Sequence, residues 1–420
     1  MIREENFGQT DAKSLSNEWE IKSLDDESLV ELIMGQSPPS STYNKEKNGL
    51  PFLQGKMEFG EIYPSPTVYC SEPVKVAEKN DILISVRAPV GEVNISPSKV
   101  CIGRGLAAIR CKSNRLSHSF LFYYFKHNSK RFEAISTGST FKAVRKNDLE
   151  SFELPIPPLP EQKKIAEILS TVDKAIEKVD EDIEKTQRLK RGLMQELLTG
   201  RWNPVDSRQA RREFKQTEIG NIPKEWEVVK IKNLGKVITG KTPATSNKAY
   251  WNGDVPFVTP ADMGETNYVY KTERYVSEVG AKRIGFILPK DAVLVVCIGS
   301  TIGKTGLTYT NCITNQQINT IICSEGINSY YVYYAITFKN QFLKSFSGTA
   351  AVPIIKKSLF EIFRLSLPSL PEQKKIAEIL STVDKRLELL RKKREKLVRV
   401  KKGLMNDLLS GKRRVKISSQ

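Results

Sequence analysis

Apolar residues recur along two long tracts of this chain at alternating steps of four and three. In the first tract they are Ile165, Leu169, Val172, Ile176, Val179 and Ile183, then Leu193 and Leu197. In the second they are Ile376, Leu380, Val383, Leu387, Leu390, Leu397, Leu404 and Leu408. That spacing puts every apolar side chain on one narrow stripe of a helix, the seam of a coiled coil. Each tract opens on prolines followed by Glu-Gln, at Pro160 and Pro371. Proline is tolerated in a first helical turn, and a carboxylate there suits the positive end of the dipole. Gly200 and Gly411 supply the stops. Two helices of about 40 residues, each roughly 60 Å long, are predicted.

Ahead of each tract the pattern changes. Runs at 82–86 and 293–298, each after an aspartate (Asp81, Asp291), read as strands, and 119–130 and 329–339 as helices. Clusters of Gly, Pro, Ser and Thr at 35–42 and 239–246 read as loops. An α+β domain of roughly 140 residues is expected in each half.

The chain is a tandem repeat. Residues 159–174 and 370–385 both read LPEQKKIAEILSTVDK. The likeness continues without a gap into KRGLMQELLTG at 190–200 and KKGLMNDLLSG at 401–411. Phe7 and Trp19 stand at the same interval as Phe214 and Trp226. Gly35-Gln36-Ser37-Pro38 corresponds to Gly240-Lys241-Thr242-Pro243, and Pro51-Phe52 to Pro256-Phe257. Tyr123-Tyr124 falls opposite Tyr333-Tyr334, and Gly138 opposite Gly348. The order is domain 1 with its opening segment (1–158), helix (159–200), linker (201–221), domain 2 (222–369), helix (370–411) and basic tail (412–420). Charge separates the two helix centres. Asp180-Glu181-Asp182 occupies the place of Arg391-Lys392-Lys393, which favours pairing of the two helices within one chain without fixing their direction.

Lys and Arg exceed Asp and Glu by 66 to 48 in 420 residues, a net charge of +18. Such an excess fits a polyanionic partner, but 14 basic and 3 acidic residues lie within 385–416 alone. Charge is therefore minor support for a DNA surface. No apolar run has the roughly 18 residues of a membrane span, and the first ten residues lack an apolar signal core, so a cytoplasmic protein is expected. Six cysteines without a Cys-x-x-Cys read as buried thiols, a Cys101–Cys111 or Cys312–Cys323 disulfide being the alternative. With only His118 and His127, the chain has little material for a zinc site or a histidine triad. Gly299-Ser-Thr-Ile-Gly303-Lys304-Thr305 imitates a phosphate-binding loop, yet three residues stand where four are needed before the Gly-Lys. No cofactor is expected.

The segments at 154–170 and 365–381 share Leu-x-x-Pro, then Leu-Pro-Glu-Gln-Lys-Lys-Ile-Ala-Glu-Ile-Leu-Ser. With Gly-x-Ser/Thr-Pro at 35–38 and 240–243 and Gly220-Asn-Ile-Pro-Lys-Glu-Trp226, the chain resembles the specificity subunit of type I restriction-modification enzymes. The resemblance covers nearly the whole sequence, although the first copy lacks the Gly-x-Ile-Pro. It implies an α+β fold of two similar globular target recognition domains, separated by two long antiparallel coiled-coil helices in a pseudo-twofold tandem duplication. Each domain would read one half of an asymmetric double-stranded DNA target. The helices would set the spacer and dock two methyltransferase subunits, and restriction subunits would join. Catalysis would then lie in the partners. The chain has no Asn-Pro-Pro-Tyr/Phe, the motif with which aminomethyltransferases grip a flipped base.

Residues suited to phosphates and base edges on loops are Gln36, Ser37, Arg87, Arg104, Lys142 and Arg145 in the first domain. In the second they are Lys241, Thr242, Lys304, Asn315, Gln316, Gln317 and Lys356. Ile165, Leu169, Val172, Ile176, Ile376, Leu380, Val383 and Leu387 are the candidates for helix pairing and partner docking. The rival readings are a coiled-coil scaffold without DNA preference and a self-sufficient nuclease or methyltransferase.

Overall fold

A computed structural model describes residues 19–112, 114–136, 143–206, 212–264, 266–348 and 352–416. Phe7, Gly138 and Lys142 therefore lie outside the described residues. The chain divides into two compact units, residues 1–178 with 394–420 and residues 179–393.

In the first unit, two apolar strands buried on both faces form the centre of an antiparallel four-stranded sheet. Its order is Val30–Met34, Leu106–Cys111, Ile82–Ser85 and Val93–Ile95. Leu106 lies opposite Ser85, and Ala107 opposite both Met34 and Ile84. Helix α1 (His118–His127) is capped by Ser117, whose hydroxyl accepts from the Phe120 amide, and covers the sheet with Phe120, Tyr123 and Tyr124. The strand Glu20–Ser23 pairs with Glu153–Ile156 and delivers the chain to helix α2 (Leu159–Leu198). A second sheet of five short strands gathers Phe52, Cys70 and Cys101.

The second unit repeats this plan. Its main sheet runs Gly235–Thr239, Ile318–Cys323, Val293–Val296, Thr305–Thr308 and Tyr268–Val269. Helix α3 (Ser329–Phe338) covers it, capped by Asn328. Glu227–Lys230 pairs with Arg364–Leu367 ahead of helix α4 (Leu370–Leu408). The smaller sheet orders Arg274–Val276, Trp251–Val258 and Ile313–Thr314.

Both long helices are present, and past their ends Gly200 and Gly411 take left-handed conformations with φ of 72° and 73°. Within each unit the helix segments run antiparallel. In the first, Asp173 of α2 meets Lys401 of α4 at 2.5 Å, while Glu161, earlier on α2, meets Arg414 beyond α4 at 2.7 Å. In the second, Lys190 pairs with Asp384 at 2.5 Å, and Leu197 shares a core with Ile376 and Leu380. Ile165, Leu169, Ile376 and Leu380 are wholly buried and Val383 and Leu387 nearly so, whereas Val172 and Ile176 are half-buried. The seam continues where the apolar pattern lapses. Thr186 is buried, and Lys190 and Lys401 occupy seam positions with a carboxylate facing each.

The structure shifts one sequence alignment. The phenol of Tyr123 donates to Asp173 at 2.8 Å, and that of Tyr334, not Tyr333, donates to the matching Asp384 at 2.6 Å. The shared Tyr-Tyr pair places the repeats one residue out of register. Position relative to the helix cap decides which tyrosine faces the long helix. All six cysteines are free, and the close pair is Cys70 with Cys101 instead of Cys101 with Cys111. Burial holds Cys101 protonated, its thiol pushed up to about 11, and pushes Cys111, Cys297, Cys312 and Cys323 up to about 12. Among the described residues no helix is long and apolar enough to cross a membrane.

Candidate nucleic-acid interface

Antiparallel pairing brings the scattered candidate loops of the first unit to one end of its main sheet. The end of Val30–Met34, the start of Leu106–Cys111 and the end of Ile82–Ser85 coincide there. The amide of Gln36 donates to Ile102 O at 3.0 Å, and the amide of Arg104 to Ser37 Oγ at 3.2 Å. Val86 links the remaining loops, donating to Gly105 O at 2.9 Å and accepting from the Val144 amide at 2.9 Å. Arg87 bridges Ala143, and Arg145 opens the helical turn Lys146–Glu150. Gln36, Arg87, Arg104 and Arg145 are exposed, and Ser37 is half-buried beneath them. Gly35 has a steric reason. A Cβ there would lie 2.2 Å from Gly103 O, so no side chain fits where the two loops cross.

Charge marks the same edge. Residues 19–158 contain six arginines. Arg110 pairs with Asp81 at 2.9 Å, Arg115 with Glu20 at 2.8 Å, and Arg131 bonds the Tyr124 phenol at 3.0 Å. Among the described residues no carboxylate lies within ion-pair distance of Arg87, Arg104 or Arg145. Three of the six guanidiniums are held, and the three without a carboxylate partner among the described residues share one edge.

The second unit has the matching edge. Lys241 donates its amide to Thr314 O at 2.9 Å, and Thr242 its hydroxyl to Gln316 Oε1 at 2.6 Å. A Cβ on Gly240 would lie 2.1 Å from Asn315 O, so this glycine answers the same need as Gly35. Ile355, beside exposed Lys356, donates to Cys297 O at 2.8 Å and brings that loop to the same end. Asn315 is buried and bonds Gln317 at 2.8 Å, so these two build the loop, while Gln316 projects from it. Lys304 is half-buried and donates to Pro260 O at 3.1 Å. The segment 299–305 is a turn between Val293–Val296 and Thr305–Thr308, with no helix following to present amides to a phosphate.

Two clasps at the starts of the long helices were not apparent in the sequence. Glu161, wholly buried, accepts from Trp19 Nε1 at 3.2 Å and from Arg414 at 2.7 and 2.8 Å. Glu372 accepts from Trp226 Nε1 at 3.0 Å and from Arg212 at 2.7 and 2.9 Å. Both Glu and Trp pairs stand in the repeat, but Arg212 and Arg414 lie at unequal distances past their helices, so no aligned arginine signals the contact. Gln162 and Gln373 likewise bond Pro157 O at 2.7 Å and Pro368 O at 2.9 Å, and each accepts from the cap of the short helix, Ser117 or Asn328. The Glu-Gln pair thus joins domain, helix start and the segment that follows the other long helix within each unit.

His118 and His127 are held below the ordinary imidazole value by burial. Among the described residues no group of His, Cys, Asp and Glu is placed to hold a metal ion.

The fold is a duplicated α+β chain in which a long helix closes each domain and a basic loop edge caps each main sheet. Residues 16–185 and 223–399 match the family described as Type I restriction modification DNA specificity domain, so the chain belongs to that family and carries its domain twice. A putative type I restriction enzyme MjaX specificity subunit of Methanocaldococcus jannaschii is 47% identical over 201 residues, 48% of this chain and 47% of that protein. That match spans about half the relative's length. The MjaVIII specificity subunit of the same organism is 27% identical, over 99% of this chain and 97% of its own. The crystal structure of a type I restriction-modification S subunit from M. genitalium shares the fold, with a TM-score of 0.65 at 17% identity over 94% and 96% of the two chains.

Proposed function

We propose that this chain is the DNA-reading subunit of a type I restriction-modification complex, and that each unit reads one half of a bipartite, asymmetric target. The observation that carries this reading is the edge just described, present once in each unit. Its composition differs between units: Gln36, Ser37 and three arginines in one, Lys241, Thr242, Gln316 and Lys356 in the other. Different side chains on equivalent loops imply different half-sites, because base edges are told apart by the donors and acceptors presented to them.

The helices act as the ruler between half-sites and as the dock for methyltransferase subunits. The apolar stripe is taken up inside each unit, which leaves the polar face for a partner. On that face the two helices are alike: Lys163, Lys164, Glu167, Thr171 and Lys174 are exposed, as are Lys374, Lys375, Glu378, Thr382 and Lys385. The same ion pair is repeated on it, Lys164–Glu167 at 2.8 Å and Lys375–Glu378 at 2.9 Å. Two identical faces fit two copies of one partner. Restriction subunits complete the assembly, and the methyl transfer and strand cleavage belong to the partners.

Selection from randomised duplexes with the full chain and its methyltransferase tests the reading. Enrichment of two unlike half-sites at a fixed spacing is expected. Recovery of no preferred sequence would leave a scaffold as the better account. Arg87→Ala, Arg104→Ala and Arg145→Ala should then divide by role. A base-reading arginine costs about 1–3 kcal/mol on the cognate site and relaxes one position. A phosphate-holding one weakens all sequences alike.

A further inference from the structure

The second unit holds a basic groove beside its reading edge that belongs to none of the sequence candidates. Thr245, Lys248, Trp251, Asn252 and Arg274 line a cavity of about 290 Å³, and no carboxylate is among them. The loop carrying it starts directly after Lys241 and Thr242, turns at Asn247, whose side chain accepts from the Ala249 amide at 3.1 Å, and enters the strand Trp251–Val258. The indole nitrogen of Trp251 donates back to Ala244 O at 3.2 Å and pins the loop. Arg274 lies opposite Phe257 on the paired strand. Its guanidinium sits 4.9 Å from the Trp251 ring centre and 5.0 Å from that of Phe257.

A guanidinium held close to two rings has already lost some of its rotamer freedom, and Arg274 is still exposed to solvent. Neither Arg274 nor Lys248 has a carboxylate within ion-pair distance among the described residues. The pairing of Trp251–Val258 slips between Trp251 and Val255, and Asn252 in that bulge adopts φ of 60°. Left-handed backbone on a residue other than glycine is a cost that clusters at ligand-holding loops. At the corresponding place in the first unit Lys47 takes the same backbone (φ 62°), but Glu46 stands where the second unit has Trp251. The platform is therefore a property of one unit.

We infer that Lys248 and Arg274, with Arg274 held by Trp251 and Phe257, form a clamp for the phosphodiester backbone of the DNA that the second unit reads. The inference rests on the DNA-reading function proposed above. The clamp fixes register and orientation and carries no base specificity of its own.

Binding of the full chain to cognate and non-cognate duplexes, followed from low to moderate salt, tests it. Each phosphate contact contributes about 0.9 to the slope of log K against log salt. Lys248→Ala and Arg274→Ala should each lower that slope by about 0.9 and weaken both duplexes by the same factor, roughly tenfold at low salt. Arg274→Lys keeps the charge and should restore the slope, which separates loss of a contact from loss of fold. An unchanged slope in both alanine variants, with the unsubstituted chain still binding its target, overturns the clamp and leaves the reading function standing. A loss confined to the cognate duplex overturns it too, since the residues would then be reading bases. If the unsubstituted chain prefers no sequence, the reading function itself has failed.

Discussion

Glu372 and Arg212 are each about 5% exposed or less, and two parallel hydrogen bonds join them. Removing one partner of such a pair leaves a buried charge without compensation. Arg212→Ala should therefore destabilise the second unit by about 3–5 kcal/mol, read as an earlier unfolding transition in denaturant. Arg212→Met combined with Glu372→Gln should recover much of that loss, because no net charge is then left inside. The thiols give a second expectation at this scale. Burial raises Cys111, Cys297, Cys312 and Cys323 to about 12, so they stay protonated in the native chain near neutrality. Alkylation by iodoacetamide at pH 8 should be slow until the chain is unfolded. The sign of the linkage follows from the folded values lying above the unfolded ones. Stability from these groups is fully present below about pH 9 and declines as pH rises from there toward 12. A denaturation midpoint that rose over that range would contradict the burial argument.

At the level of elements, each long helix interrupts its apolar seam with a lysine, and the partner helix answers with an aspartate that a domain tyrosine also holds. Lys401, Asp173 and Tyr123 form this triad in one unit, and Lys190, Asp384 and Tyr334 in the other. The carboxylates are largely shielded, with side-chain exposures of 13% and 12%. Lys401→Ala should cost the first unit about 2 kcal/mol, the scale of a charged hydrogen bond lost in a part-buried place. Leu169→Ala, at a wholly buried seam position, should cost about 2–5 kcal/mol, measured by the same denaturation. The helices themselves were legible from period, proline and glycine. The triads were less so. Lysines at 190 and 401 read as gaps in the stripe, since the acid that makes them tolerable lies about 200 residues away in sequence.

For the whole molecule, the ruler role proposed for the helices makes a quantitative demand. Deleting residues 176–182 together with 387–393 removes seven residues from equivalent places in both helices. The rods shorten by about 10 Å at 1.5 Å per residue, or about three base pairs of spacing. Both half-sites should survive, read by sequencing the methylated positions in a host carrying the variant. Changed half-sites with an unchanged spacer would end the ruler account.

The sequence by itself determined the duplication, the α+β character of each half, the two long helices and the family. These depend on periodicity and on motifs within a few tens of residues, which sequence displays directly. Only the tertiary structure decided which loops share an edge, because antiparallel pairing joins Gln36 to Ile102 and Val86 to Val144 across gaps that leave no local mark. It also decided which cations are free. Arg104 and Arg110 are alike in the sequence, six residues apart on one strand and its approach. Asp81 meets Arg110 across the sheet, while among the described residues no carboxylate is within ion-pair distance of Arg104. Net charge could not make that distinction, since an arginine's availability depends on what folds against it.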